Sequence, residues 1–121
     1  MIKLVYCIRK RSDISTKQFE DYWLNTHGPK VRGVAEKLGF SRYVQSHVVA
    51  PTMNQLLIES RGLLPAFDGL TEVWAESEEA LMTAMGGPDG LSAMQMLIED
   101  ESQFIDFSGS SVFMTEETTI F

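Results

Sequence analysis

Residues 19–29 read FEDYWLNTHGP, and the way this stretch is parsed decides the fold. Phe19, Trp23 and His27 stand at i, i+4 and i+8, so a helix through them carries three large side chains on one stripe, facing whatever it packs on. Gly28 and Pro29 then read as a break and restart. Proline disfavours helical geometry in the residue before it but suits the first position of a new helix. His27 is therefore expected half-buried at a helix end, where an imidazole can be tuned for proton transfer near neutral pH.

Upstream, residues 2–9 read as a strand rich in Ile, Leu, Val and Tyr, followed by the turn formers Ser12 and Asp13. Ser15 can cap the helix, Gln18 completes a capping box, and Ile14 with Phe19 has the spacing of a hydrophobic staple. Downstream, the apolar stripe continues through Val31, Val34, Ala35 and Leu38 until Gly39 ends it. Residues 40–50, FSRYVQSHVVA, alternate as a strand, with Tyr43, Gln45 and His47 on one side and Arg42, Val44 and Ser46 on the other.

Residues 51–68 are expected to form a long connection with at most a short helical turn at MNQLLIES, covering an opening or a partner subunit. A third strand follows at 69–76, and Ser77 with Glu78 and Glu79 starts the next helix. That helix is interrupted at Gly86, Gly87 and Pro88 and resumes through Leu91, Met94, Leu97 and Ile98. The acidic run Glu99, Asp100, Glu101 is expected to be a solvated helix end. One strand, or two short ones split near Gly109, completes the chain over 104–121.

Strand, helix, strand, strand, helix, strand is the order of a ferredoxin-like α+β unit, βαββαβ, with helices on one sheet face and residues 1–121 as a single domain. The second sheet face then needs cover. A two-fold partner that closes two sheets into a barrel supplies it, so a homodimer with a cavity between the sheets is expected.

Composition narrows the function. Seventeen acidic against ten basic residues give a net charge of −7, which repels phosphate backbones and anionic lipid surfaces and argues against nucleic-acid or membrane partners. The first apolar run, MIKLVYCI, contains Lys3 and meets Arg9, Lys10 and Arg11 at once, so it does not read as a signal peptide and a cytoplasmic location is expected. A single cysteine, Cys7, rules out an intramolecular disulfide and any Cys-based zinc site. Zinc on His27 and His47 would need a third ligand that the pattern does not supply.

The segments YWLNTHGP, GFSRYVQ, DGLTEVWAESEEAL and EDESQFID, in this order and spanning nearly the whole chain, resemble the EthD family of dimeric α/β-barrel proteins. The resemblance implies the barrel fold and the dimer. It also implies that His27 is the family's helix-one histidine and that Tyr43 lines the same cavity. Where some relatives place a reactive side chain on strand three, this chain has Val73, which weighs against nucleophilic or redox chemistry there.

A His–Tyr pair without a cofactor suits proton transfer: His27 removes a proton next to a carbonyl and Tyr43 donates to the developing enolate. The expected function is thus a cofactor-independent isomerase, cyclase or dehydratase acting on a small aromatic or lactone-like metabolite, with Trp23, Gln45 and His47 helping to bind it. A non-catalytic binding or accessory protein for a hydrophobic metabolite is the alternative. A monooxygenase-type oxidoreductase ranks last, because no haem-attachment motif and no flavin or nicotinamide loop is present.

Overall fold

The computed structural model describes all 121 residues. Strand β1 (Ile2–Ile8) leads to α1 (Thr16–Tyr22), which runs through one π-helical turn (Trp23–His27) directly into α2 (Gly28–Leu38). There follow β2 (Phe40–His47), α3 (Pro51–Arg61), β3 (Gly69–Ala75), α4 (Glu78–Gly86), α5 (Pro88–Glu101), a 3₁₀ turn (Phe107–Gly109) and β4 (Ser111–Thr115). The four strands form one antiparallel sheet in the order β2-β3-β1-β4, the ferredoxin-like arrangement.

The local signals at the start of α1 act as the sequence suggests. Ser15 Oγ accepts from the Gln18 amide at 3.1 Å, and the Gln18 side chain returns a bond to the Ser15 amide at 2.8 Å. Ile14 packs against the cluster that contains Phe19. Ser77 caps α4 through the Ala80 amide, and α4 gives way to α5 at Gly87. Gly90 lets the two helices meet: a β-carbon there would sit 1.8 Å from the Ala84 carbonyl oxygen.

Two expectations are corrected. The chain does not break at Gly28–Pro29. Gly28 is helical at φ −53°, ψ −50°, and its amide bonds to the Trp23 carbonyl five residues back. Glycine lacks the Cβ that collides with a following proline ring, and the wider turn absorbs the proline within a continuous helix. Next, residues 51–61 form a complete helix, α3, bracketed by left-handed residues, Ala50 at φ 53° and Gly62 at φ 65°. None of its eleven side chains is buried.

A cavity lies between the sheet and the helices of one chain. One apolar cluster, Ile8, Phe19, Trp23, Phe104 and Ile105, closes one end of the helix-covered layer, and a second, Val31, Leu38, Ala93 and Leu97, closes the other. Large rings fill the first and slender aliphatics the second, and the space left between them is the cavity.

Candidate active site

The cavity measures about 260 Å³ and is walled mainly by apolar side chains, among them Leu4 and Ile8 of β1, Val73 of β3 and Leu97 of α5. Ile98 and Val112, half exposed at 50% and 54%, form its mouth between α5 and β4. Five polar groups reach it: Tyr6, His27, Tyr43, Thr71 and Glu101, with the Trp23 indole beside them. Sparse polar groups on an apolar wall are the usual composition of a small-molecule site.

His27 is the most tightly held of these. It is 5% exposed, and its Nδ1 lies 2.6 Å from Asp100 Oδ2 at the end of α5. Asp100, equally buried, also accepts from Tyr22 Oη at 2.5 Å and from Lys30 Nζ at 2.7 Å. Burial alone would raise the Asp100 carboxyl, but hydrogen bonds from Lys30, Tyr22 and His27 outweigh it and hold the group below its ordinary value. Asp100 stands in the last turn of a helix, at the negative end of the dipole, so these donors rather than its own helix keep it ionised.

The consequence for His27 is a fixed tautomer. A carboxylate can only accept, so Nδ1 carries the proton and Nε2 presents a lone pair. Nε2 has no hydrogen-bond partner in the protein. Burial pushes the imidazole below its ordinary value, against the upward pull of Asp100, and Lys30 adds to the lowering. The ring is therefore neutral at pH 7 and able to take a proton. Tyr22, desolvated and beside Asp100, is pushed up to about 12 and stays a donor.

Tyr43 reaches the same cavity from β2, as the alternation predicts. Gln45 Nε2 donates to Tyr43 Oη at 3.0 Å and to the Trp23 carbonyl at 2.8 Å, while Gln45 Oε1 lies 3.0 Å from His47 Nε2. With its oxygen accepting from Gln45, the phenol keeps its own proton free to donate. Burial raises Tyr43 above its ordinary value.

His47 stacks on Trp23, ring centroids 4.5 Å apart, and Gly69 makes room for that indole: a β-carbon at 69 would lie 2.6 Å from its ring. Trp23 is fully buried, and its Nε1–H has no partner, which is rare for a buried donor.

Of the five residues singled out from sequence, His27, Tyr43 and Trp23 thus share the cavity. Gln45 and His47 do not line it; they stand behind Tyr43 and Trp23 and fix their positions. The reading of Glu99, Asp100 and Glu101 as a solvated end is corrected. Glu99 is exposed, but Asp100 is buried against His27 and Glu101 faces the cavity. The signal for Glu101 was present, since it continues the Met94–Leu97–Ile98 stripe at helical spacing, whereas nothing local marks the donors of Asp100. No three His, Cys, Asp or Glu side chains come together as a metal site, and no helix is long and apolar enough to cross a membrane.

Sheet order, helix placement and the polar groups on an enclosed apolar cavity define a ferredoxin-like α+β protein of small-molecule enzyme or binding type. The chain belongs to the EthD family, with residues 11–108 matching the EthD domain. An ethyl tert-butyl ether D (EthD) family protein from Bacillus halodurans superposes at TM-score 0.62 with 20% identity, over 98% of this chain and 99% of that one. A dimeric protein of unknown function with a ferredoxin-like fold from Bacteroides fragilis gives TM-score 0.60 at 8% identity, over 96% and 95%. SnoaB, a cofactor-independent oxygenase from Streptomyces nogalater, gives 0.56 at 12% identity, over 98% and 95%. At these identities the likeness is one of fold. No curated protein matches the sequence.

Proposed function

We propose that this protein is a cofactor-independent enzyme that abstracts a proton next to the carbonyl of a small, uncharged, largely apolar metabolite, working as a cytoplasmic homodimer. One observation carries the reading: a buried imidazole whose Nδ1–H is anchored by Asp100 and whose Nε2 is free. His27 takes the α-proton. The developing enolate oxygen accepts from Tyr43 Oη and from the unpartnered Trp23 Nε1–H, donors fixed in place before the charge forms. Asp100 is a positioning residue that holds the tautomer and steadies the imidazolium. An anionic substrate would meet Asp100, Glu101 and an overall charge of −7, so a neutral one is favoured.

The dimer reading rests on the dimeric relatives and on α3. That helix buries none of its side chains and leaves Met53, Leu56 and Leu57 about half exposed, and an apolar face of this kind is cover for a second copy.

Exchange of α-protons for deuterium in benzylacetone, followed by proton NMR in deuterium oxide, tests the chemistry with a neutral ketone. The wild-type protein exchanges them. His27→Gln slows exchange by about a hundredfold or more. Equal exchange by the variant and the wild type would remove His27 as the base.

A further inference from the structure

Glu101 is the polar group of the cavity that proton abstraction leaves unused. It follows Asp100 directly, so adjacent positions in the last turn of α5 serve two ends of one site: Asp100 anchors the base, and Glu101 reaches the cavity itself. The groups around it are Tyr6 from β1, Tyr43 from β2, His27 from the π turn and Asp100 from its own helix. None is a free cation that would hold Glu101 as a carboxylate, because Lys30 is engaged with Asp100. Burial pushes the Glu101 carboxyl up to about 7, against a hydrogen bond from Tyr6 and with help from the Asp100 charge. Near neutrality a substantial fraction of it therefore carries a proton.

A base and a separate acid in one apolar cavity say more about the reaction than either group does. Enolisation, or migration of a double bond, can be completed by one base that returns the proton it took. A second, protonated group on a different element is needed when something must leave that cannot leave as an anion, and hydroxide is such a group.

We propose that Glu101 is the proton donor of this site and that the reaction it completes is elimination of water from a β-hydroxy carbonyl compound, an inference that rests on the His27 base. His27 Nε2 takes the α-proton, and the C–H electron pair becomes the new carbon–carbon double bond. The bond from the β-carbon to oxygen breaks, and the departing hydroxyl leaves as water with the Glu101 proton. The products are an α,β-unsaturated carbonyl compound and water. The imidazolium has gained one proton and the carboxylate has lost one, so the resting state returns by proton transfer between them, and no oxidant, reductant or metal enters the balance.

The β-hydroxy derivative of benzylacetone is the probe, because its dehydration product, benzylideneacetone, is a conjugated enone that can be followed by absorbance. Each variant is measured for dehydration of this probe and for α-proton exchange in benzylacetone, which lacks the leaving group. In Glu101→Gln the ratio of dehydration to exchange falls by about a hundredfold or more, whereas His27→Gln lowers both rates together. Wild-type dehydration declines as pH rises through about 7, and Tyr6→Phe, which removes a hydrogen bond that favours the carboxylate, moves that decline to higher pH.

An unchanged ratio in Glu101→Gln, or exchange without dehydration in the wild type, overturns the role of Glu101 and leaves the base standing. Absence of exchange in the wild type overturns the base and this inference with it. Should Glu101→Gln not fold, the wild-type pH profile and its displacement in Tyr6→Phe decide the matter, and a flat profile through neutrality counts against the proposal.

Discussion

Helices α5 and α3 each put apolar side chains on a surface, and the chain treats them in opposite ways. Along α5, Gly90, Ala93, Leu97 and Asp100 are buried against α4, α2 and the π turn, and the one buried charge has three donors around it. Along α3 nothing is buried, and the following residues Leu63 and Leu64 are exposed at 53% and 80%. The two helices therefore differ in where they find their stabilisation. A helix of eleven residues is marginal on propensity alone. Helix α5 is held by contacts inside the protomer, whereas α3 buries none of its side chains against its own chain.

The contrast is sharpest in stability. Trp23 is fully buried in the cluster that faces the end of α5, so Trp23→Ala should cost about 3–5 kcal/mol in denaturant unfolding. Leu57→Ala on α3, measured at a dilution where the protein is monomeric, should change stability by no more than about 0.5 kcal/mol. Similar losses at the two positions would mean that α3 packs within its own chain after all.

A smaller effect separates the two titrating groups at the α5 end. Folding raises Glu101, so the native state holds a proton that the unfolded chain has released. Stability from this group is complete below its unfolded value of 4.5 and is lost as pH rises through about 7, up to about 3 kcal/mol in all. Folding lowers His27, so its contribution is present above the unfolded value of 6.5 and is lost as pH falls towards the native value.

Below pH 6.5 the two slopes oppose each other in the wild type. Single variants uncover them: His27→Gln should show stability falling with rising pH, and Glu101→Gln should show it rising. Denaturation midpoints across this range measure both signs. Identical profiles in the two variants would show that neither group titrates differently on folding.

What the sequence made legible follows the same division. Where a residue's fate depends on near neighbours, the pattern could be read: the Ser15–Gln18 box, the alternation that sends Tyr43, Gln45 and His47 to one side, and the interruption at Gly86–Pro88 all stand as local rules require. Where the fate depends on distant partners, it could not. Asp100 looked like part of a solvated acidic run because its donors lie more than sixty-nine residues away, at Tyr22, His27 and Lys30. The π turn escaped because Gly28–Pro29 carries a stop signal that the wider backbone turn overrides.

The smallest expected effect on the protomer bears most directly on α3. Leu56 and Leu57 are 58% and 46% exposed and touch no core cluster, so replacing both with aspartate buries no charge within the protomer. Circular dichroism of the double variant should match the wild type, and its unfolding at monomer concentrations should shift by no more than about 0.5 kcal/mol. In a dimer covered by this helix, the same aspartates would each have to enter an apolar contact without a partner charge, a cost of several kcal/mol that dissociation avoids. Sedimentation velocity should therefore find the wild type as a dimer and the double variant as a monomer of 13.6 kDa. A wild-type monomer, or a variant that remains dimeric, would leave the exposed face of α3 without the role proposed for it. The exchange assay adds a further distinction: a monomeric variant that still exchanges α-protons would show that the partner supplies cover but no residue the reaction needs.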